Sequence, residues 1–196
     1  TVIDWATLPL EKSIKFNELG INYLQYDIRD LDKLNTIHGE FDSIIHLAAQ
    51  VSVPKSFTHQ KETEEINIQG TKNVISLGKK LGVKRFILAS SSAVYGDCEE
   101  IPLTESNTGR ILSPYAETKS NNEMKIKKEF ENGNEFLALR FFNVYGAGQN
   151  ANSQYAAVIP KFLQLVKEKK PITIYGDGKQ SRDFVHVSDV SRLLIS

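Results

Sequence analysis

The sequence lacks the features of a disulfide-stabilised, membrane-spanning or nucleic-acid-binding protein. It has a single cysteine, Cys98, which excludes an internal disulfide and favours a reducing compartment. No apolar run approaches the roughly 18 residues of a membrane span, and the N-terminus shows no signal-peptide pattern. The 24 basic residues balance the 24 acidic ones, so no positive field is available to hold nucleic acid or an anionic membrane. We therefore expect a cytoplasmic protein that recognises its partner in a specific pocket.

The pattern of apolar residues predicts an α/β fold. Short apolar runs alternate with longer segments of helical period, which is typical of a parallel sheet covered by helices on both faces. The predicted strands are 1–4, 22–27, 43–49, 85–91, 135–142, 172–175 and 184–187. The predicted helices lie around Leu31 and Leu34, at 70–81, at 115–131, and from Ser188 onward. In such doubly wound sheets, ligands bind at the carboxyl ends of the strands.

The segment SPYAETK, residues 113–119, contains a tyrosine and a lysine four positions apart. Ser113 can cap a helix and Pro114 suits the first helical position, because its missing N–H has no partner there anyway. Tyr115 and Lys119 would then lie on one face of that helix. An isolated pair of this kind is more often an ordinary surface pair, so its meaning depends on the rest of the chain.

Small and hydroxylated residues follow several predicted strands. The strand-end segments are DIRD (27–30), HLAAQVSV (46–53), SSSAVYG (90–96) and RFFNVYG (140–146). Small residues let a flat ligand approach the backbone, and hydroxyls beside it suggest proton transfer coupled to a bound cofactor. Asp4, which ends the first strand, is suited to accept hydrogen bonds from ribose hydroxyls and equally suited to cap a turn. The histidines show no ligand spacing, so no metal site is predicted.

These segments, taken together and in order, resemble the extended short-chain dehydrogenase/reductase family, in particular its NAD-dependent nucleotide-sugar epimerases and dehydratases. The segments that carry the resemblance are DIRD, HLAAQVSV, NIQGT, GVKRFILASSSAVYG, SPYAETK, LRFFNVYG, YAAVIPKF, IYGDG and SRDFVHVSDV. The resemblance covers nearly the whole chain. It implies a Rossmann-like fold, NAD as the cofactor and a UDP-type nucleotide sugar as the substrate.

The resemblance also implies catalytic roles for three residues. Tyr115 is expected to accept and donate the proton, Lys119 to lower the pKa of Tyr115 and hold the nicotinamide ribose, and Ser91 to bond the reacting hydroxyl. Ser90 and Ser92 remain alternatives for that serine. A free tyrosine titrates near pH 10, so a base near neutrality needs its pKa lowered by about 3, or ~4 kcal/mol. A nearby ammonium and the positive nicotinamide can supply this.

Two larger sets of contacts follow from the same resemblance. The cofactor contacts are Asp4, Asp27, Ile28, Leu47, Ala48, Ala49, Gln50, Asn67, Ser90, Tyr115, Lys119 and Phe142. The substrate contacts are Ser91, Ser92, Asn143, Val158, Tyr175 and Arg182. Asn67 could instead be only a helix cap. Arg182 would in isolation form a surface ion pair with Asp183, but its planar guanidinium suits a diphosphate.

The sequence departs from the family at both ends. No Gly-rich turn of the GxxGxxG kind occurs, and the chain starts at what resembles the family's second strand. It also stops soon after DFVHVSDV. We therefore expect part of a longer polypeptide: residues 1–150 as an NAD-binding Rossmann-like domain lacking its first strand and Gly-rich turn, and residues 151–196 as part of a small substrate-binding lobe.

The leading functional hypothesis is an NAD-dependent 4-epimerase of UDP-glucose or UDP-N-acetylglucosamine, which oxidises C4 transiently and then returns the hydride. Related 4,6-dehydratases carry an acid pair where this sequence has Ser92 and Ala93. Three other activities of the family stay open: a nucleotide-sugar decarboxylase, a dehydratase and a 4-keto reductase. A truncated, non-catalytic binding module is a further alternative. A homodimer could form through segments 66–81 and 115–131.

Overall fold

The computed structural model describes residues 1–130, 135–149 and 158–196, which form two compact units, Thr1–Arg140 and Phe141–Ser196. The predicted domain boundary at 150 and the first part of the predicted lobe, 151–157, lie outside the described residues. The assignment of cofactor and substrate roles to separate domains stays a prediction.

The first unit alternates strands and helices as the sequence predicts. Its elements are β1 (Val2–Asp4), α1 (Leu10–Glu18), β2 (Tyr23–Gln25), α2 (Leu31–Asn35), β3 (Ser43–His46), α3 (Val53–Thr58), α4 (Gln60–Glu64), α5 (Thr71–Leu81), β4 (Arg85–Ser91), α6 (Pro114–Phe130) and β5 (Glu135–Phe141). A π-helical turn, Glu65–Gly70, joins α4 to α5, and a 3₁₀ turn, Ser92–Tyr95, follows β4. Position 131 of the predicted third helix lies outside the described residues.

The described strands of the first unit pair in two separate ladders. β1 is parallel to β2, with Val2 opposite Tyr23, and β3 is parallel to β4, with Ser43 opposite Arg85. β4 is the middle strand of the order β3-β4-β5. The parallel pairing confirms the α/β class.

The main core lies where the helices pack on β4. Leu34 of α2, Phe86 of β4 and Ile126 of α6 are completely buried. The rings of Phe86 and Phe130 lie 5.2 Å apart between centroids. Burial of each such side chain contributes about 1.5–3 kcal/mol. This packing fixes α6 against β4, and the two elements carry the candidate catalytic residues.

The start of α6 confirms the predicted cap. The Ser113 Oγ accepts a hydrogen bond of 3.1 Å from the backbone N–H of Ala116, and Pro114 is the first helical residue. Tyr115 is 7% exposed and Lys119 is 4% exposed. The two side chains are therefore buried in the first unit, which rules out an ordinary surface pair.

The second unit contains β6 (Asn143–Tyr145), α7 (Val158–Lys167), β7 (Phe184–His186) and α8 (Val187–Ile195), with β6 parallel to β7. The predicted strand at 172–175 is wrong: no strand forms there, and Tyr175 is 82% exposed. β-propensity alone cannot hold a strand that has no partner or packed face.

α8 begins one residue earlier than predicted, because the His186 Nδ1 accepts the backbone N–H of Ser188 as its cap. None of the described helices is long and apolar enough to cross a bilayer.

Candidate active site

The candidate active site is built where α6 faces the carboxyl end of β4. The Ser91 hydroxyl accepts the backbone N–H of Ala93 at 3.2 Å and lies near enough to the Tyr115 phenol to lower its pKa. One helical turn later, the Lys119 Nζ donates a hydrogen bond of 2.8 Å to the carbonyl oxygen of Ala89. The Ser90 hydroxyl is bonded elsewhere, since it donates to Glu123. Of the three candidate serines, the geometry therefore favours Ser91 as the partner of the phenol.

Burial sets the acidity of Tyr115 in the structure. It raises the pKa of the phenol, and the nearby Ser91 hydroxyl works in the opposite direction as the smaller effect. The predicted lowering of this pKa by Lys119 together with the nicotinamide stays a prediction, and the charge of Lys119 does not contribute to the observed shift. The reason is geometric, because the ammonium bonds a backbone carbonyl and lies 5.8 Å from the centroid of the phenol ring.

Lys119 is a cation held in a poorly solvated place. Burial lowers the pKa of its ammonium from 10.5 to about 8. Among the described residues, no carboxylate lies within ion-pair distance of Nζ, and its one recorded acceptor is the Ala89 carbonyl. An ammonium has three N–H donors, so two remain available to a ligand. Two free donors on a buried cation fit the hydroxyls of a nucleotide ribose.

His46, at the end of β3, is a neutral structural residue. Burial and the charge of Lys119 lower the pKa of its imidazole to about 3. Its Nε2 forms a hydrogen bond of 2.9 Å with the Thr71 hydroxyl, and its ring lies edge-on to Phe86. His46 therefore carries no charge at neutral pH and is unsuited to hold a proton for the reaction.

Asn67 connects the π-helical turn to the segment after β3. Its Oδ1 accepts the Gln50 backbone N–H at 2.8 Å, and its Nδ2 donates to the Gln50 carbonyl at 3.0 Å. The same Nδ2 donates to the Thr118 hydroxyl, which in turn donates to the Tyr115 carbonyl at 2.7 Å. Asn67 therefore does more than cap a helix: it fixes both the predicted cofactor segment and the start of α6.

Sequence reasoning missed Asn122, a further polar member of this network. The Asn122 Nδ2 donates to the carbonyl of Asn67 at 2.8 Å and to the Thr71 hydroxyl at 3.2 Å. A π-helical turn changes which backbone carbonyls have helical partners, and Asn122 bonds one carbonyl in this turn. Asn122 is 2% exposed, and no sequence motif marks it.

The predicted adenosine contacts lie at the ends of β1 and β2. The Asp4 Oδ1 accepts the Ala6 backbone N–H at 3.0 Å, so this carboxylate does cap its own turn, and its other oxygen has no hydrogen-bond partner among the described residues. Asp27 forms an ion pair with Arg29, which lowers the pKa of the carboxyl. Ile28 packs under the π-helical turn, where a Cβ at Gly70 would lie 2.5 Å from the Ile28 Cδ1.

The residues that follow β3 change from exposed to buried. Leu47 and Ala48 are exposed, Ala49 is half-buried and Gln50 is buried. The exposed small side chain of Ala48 leaves the backbone open to a flat ligand. The cofactor roles predicted for these residues remain predictions.

A groove of about 580 Å³ lies along α6 and the π-helical turn, away from the catalytic candidates. It is lined by residues that include Ile68, Lys72, Glu117, Asn121 and Lys125. Tyr115, Lys119 and Ser91 are not among its lining residues, so this groove is not the candidate active site. It follows the two segments through which a homodimer is predicted, and that dimer stays a prediction.

Most of the predicted substrate contacts, and one cofactor contact, lie in the second unit. Asn143 is on β6, and its Nδ2 donates to the Asp183 carbonyl at 3.0 Å. Val158 opens α7, and the exposed Arg182 donates to the Ser181 carbonyl at 2.6 Å. Asp183 follows Arg182 in the sequence, but the two side chains form no ion pair. Among the described residues, the ion pairs do not involve Arg182. Tyr175 and Phe142 lie in the same unit.

Comparison with known proteins identifies the family. A family model described as NAD dependent epimerase/dehydratase family matches residues 5–196. A UDP-glucuronate 4-epimerase of Thermodesulfobacterium geofontis is 34% identical over 194 residues, covering 96% of this chain and 56% of that protein. The chain therefore spans little more than half the length of this relative.

Two solved structures have the same fold. One is a UDP-N-acetylglucosamine 4-epimerase from Methanobrevibacter ruminantium in complex with UDP-N-acetylmuramic acid, with a TM-score of 0.86 and 38% identity over 91% of this chain and 58% of that one. The other is a UDP-glucose 4-epimerase of Thermus thermophilus in complex with NAD, with a TM-score of 0.86 and 30% identity over 99% of this chain and 64% of that one. The Rossmann-like fold is thereby confirmed, and NAD is the cofactor of the matching family. The chain belongs to the NAD-dependent epimerase/dehydratase family of extended short-chain dehydrogenases/reductases.

Proposed function

We propose that this chain carries the cofactor-binding and catalytic residues of a nucleotide-sugar 4-epimerase. The observation that supports the proposal most strongly is the buried arrangement of Tyr115 against Ser91, with the Lys119 ammonium one helical turn away. A phenol, a hydroxyl and a cation at the end of a parallel strand form a set of groups that can move one proton at a sugar hydroxyl.

The three residues divide the chemistry of this proposal among them. The Tyr115 phenolate takes the proton from the C4 hydroxyl, and the phenol later returns a proton to the 4-keto sugar. The Ser91 hydroxyl bonds the C4 oxygen and lowers the pKa of the neighbouring Tyr115. The free donors of Lys119 hold the nicotinamide ribose. Bound NAD⁺ supplies the hydride acceptor, the hydride for the return step and a positive charge near the phenol.

The cofactor contacts predicted from the sequence form part of the proposal. The carboxylate of Asp4 binds the adenosine ribose through the oxygen that does not cap the turn. Asp27 and Ile28 border the adenine, and the segment 47–50 runs beside the rest of the cofactor. Asn67 supports that segment through its two hydrogen bonds to Gln50.

The proposed substrate is a UDP-hexose, either UDP-glucose or UDP-N-acetylglucosamine. Ser92 and Ala93 occupy the positions after the catalytic serine, and neither can act as the acid or base needed to eliminate water. The relatives that match this chain include epimerases of UDP-glucuronate, UDP-N-acetylglucosamine and UDP-glucose. These two observations favour epimerisation over dehydration.

Product analysis tests the proposal. The intact protein is incubated with NAD and each UDP-sugar in turn, and the products are separated by chromatography. We expect the C4 epimer with no net change in NAD redox state. Release of carbon dioxide from a UDP-uronic acid would instead support a decarboxylase, and net oxidation of NADH with a 4-keto sugar would support a reductase. No conversion of any of these sugars would contradict an enzymatic function.

Arg182→Ala tests the proposed diphosphate contact. Loss of a charge-assisted hydrogen bond costs about 1.5–3 kcal/mol, so the dissociation constant of the UDP-sugar should rise roughly 10–100-fold. Isothermal titration calorimetry with UDP alone measures this. The matched control is Arg192→Ala, which removes an arginine paired with Asp189 in the same unit. Equal UDP affinity in both variants and the wild type would show that the diphosphate binds elsewhere.

A further inference from the structure

Glu123 continues the line of Tyr115 and Lys119 along α6, one more helical turn from the start of the helix. Each member of this line contacts the last residues of β4. The third contact is made by Ser90, which is 4% exposed and whose hydroxyl donates to the Glu123 Oε1. Ser90 is the residue before Ser91, so this hydrogen bond fixes the backbone beside the hydroxyl that faces Tyr115.

Arg140 of β5 supplies the counter-charge for Glu123. Its NH2 donates to the Glu123 Oε2 at 2.9 Å, and its Nε lies 3.1 and 3.3 Å from the two carboxylate oxygens. The side chains of Arg140 and Glu123 are 17% and 15% exposed. Ion pairs on the surface contribute little, but a mostly buried and multiply bonded pair resists separation, because each charge would be left poorly solvated.

The same guanidinium also contacts the turn after β4. The Arg140 Cζ lies 4.8 Å from the centroid of the Tyr95 ring, at the end of the 3₁₀ turn that begins at Ser92. Its NH1 donates to the Glu105 carbonyl at 3.1 Å. Ser91 therefore lies between two anchored points, Ser90 on one side and Tyr95 on the other.

The geometry points to the Glu123–Arg140 ion pair as a positioning device that holds Ser91 beside Tyr115. This inference rests on the proposed epimerase function. Neither charged residue touches the substrate; both act through the backbone on either side of Ser91. Displacement of a catalytic group by about 1 Å can cost 10²-fold in rate. The ion pair is therefore expected to affect kcat rather than substrate affinity.

The inference predicts a change in pH dependence as well. The groups that face Tyr115 are Ser91 from β4 and Lys119 from α6, while His46 of β3 faces Lys119 and stays neutral. The neighbouring Ser91 hydroxyl lowers the pKa of Tyr115. If Ser91 loses its position, that pKa rises and the acidic limb of the kcat profile moves to higher pH.

The test compares Glu123→Gln, Ser90→Ala and Glu129→Gln with the wild-type intact protein. Glu129 also lies on α6 and pairs with Lys79 of α5, so it is the matched control for loss of one carboxylate. We expect Glu123→Gln to lower kcat roughly 10–100-fold with KM unchanged and to move the acidic limb to higher pH, and Ser90→Ala to do the same to a smaller extent. Glu129→Gln should match the wild type in kcat, in KM and in the position of the acidic limb.

Two results for Glu123→Gln would overturn the inference. One is a kcat profile whose acidic limb lies at the same pH as that of the wild type, and the other is a rise in KM with unchanged kcat. If Glu123→Gln does not fold, Ser90→Ala decides, since it keeps the ion pair intact. A larger loss in Ser90→Ala than in Ser91→Ala would also overturn it, because Ser90 would then be the reacting serine.

The proposed function and the inference about the ion pair are tested by different quantities. Wild-type turnover decides that function, whereas the inference depends on the difference between variant and wild type. If the wild type converts no sugar, absorbance titration of the tyrosinate, corrected with Tyr115→Phe, still reports whether Glu123→Gln raises the pKa of Tyr115. An unchanged pKa in that titration would contradict the inference.

Discussion

Tyr115→Phe is expected to lower kcat for the C4 interconversion by roughly 10²–10⁴-fold, the contribution of a positioned acid or base. The substitution removes one oxygen atom and keeps the ring that packs between α6 and β4. NAD should therefore stay bound with little change in affinity. The measurement is the initial rate at saturating UDP-sugar, together with the NAD content of the purified protein.

The control for this variant is Tyr145→Phe. Tyr145 lies on β6, packs edge-on against Phe184 and has no predicted role in the reaction. Removal of the phenolic hydroxyl in Tyr145→Phe should leave the initial rate of the C4 interconversion near that of the wild type. Substantial turnover in Tyr115→Phe would show that another group moves the proton.

Lys119→Met is expected to lower kcat and to change the pH dependence of stability. Removal of a preorganised charged donor typically costs roughly 10²–10³-fold in kcat. NAD affinity should fall as well, because the ribose loses its proposed donors. The exposed Lys127 of the same helix provides the control Lys127→Met, which should leave both quantities unchanged.

The effect on stability follows from the lowered pKa of Lys119. The folded protein releases this proton near pH 8, whereas the unfolded chain keeps it up to about 10.5. Between these values the unfolded state binds more protons, so the free energy of unfolding rises with pH. At about 1.4 kcal/mol per pH unit, the gain from this group is ~3 kcal/mol. Lys119→Met should lose this rise, which denaturant unfolding from pH 7 to 10.5 without added cofactor measures. An identical rise in the variant would show that Lys119 is not the titrating group.

Much of the site could be predicted because its residues lie close together in sequence. The positions Ser113, Tyr115 and Lys119 define a cap and one helix face, and the structure confirms the cap and the burial of the pair. The strand 85–91 and its serines were also placed correctly. Local spacing was sufficient for these elements because helix and strand geometry fix which neighbours share a face.

The rest depended on contacts between distant parts of the chain. Glu123 and Arg140 are 17 positions apart, and Asn67 and Asn122 are 55 apart, so no local pattern relates the partners. The burial that raises the pKa of Tyr115 could not be predicted either, because a distance along a helix says nothing about burial or about where an ammonium points. The failed strand at 172–175 has a similar cause, since pairing is a tertiary property.

In the proposed epimerisation, a hydride leaves C4 of the sugar and returns to the same carbon, while Tyr115 accepts the hydroxyl proton and later returns a proton. The most direct test uses UDP-glucose or UDP-N-acetylglucosamine with deuterium at C4, incubated with the intact protein and NAD in ordinary water. Mass spectrometry and NMR of the product then locate the label. We expect the C4 epimer with deuterium retained at C4. An epimer that has lost the deuterium to solvent would show that C4 exchanges as a proton, and would contradict hydride transfer at this carbon.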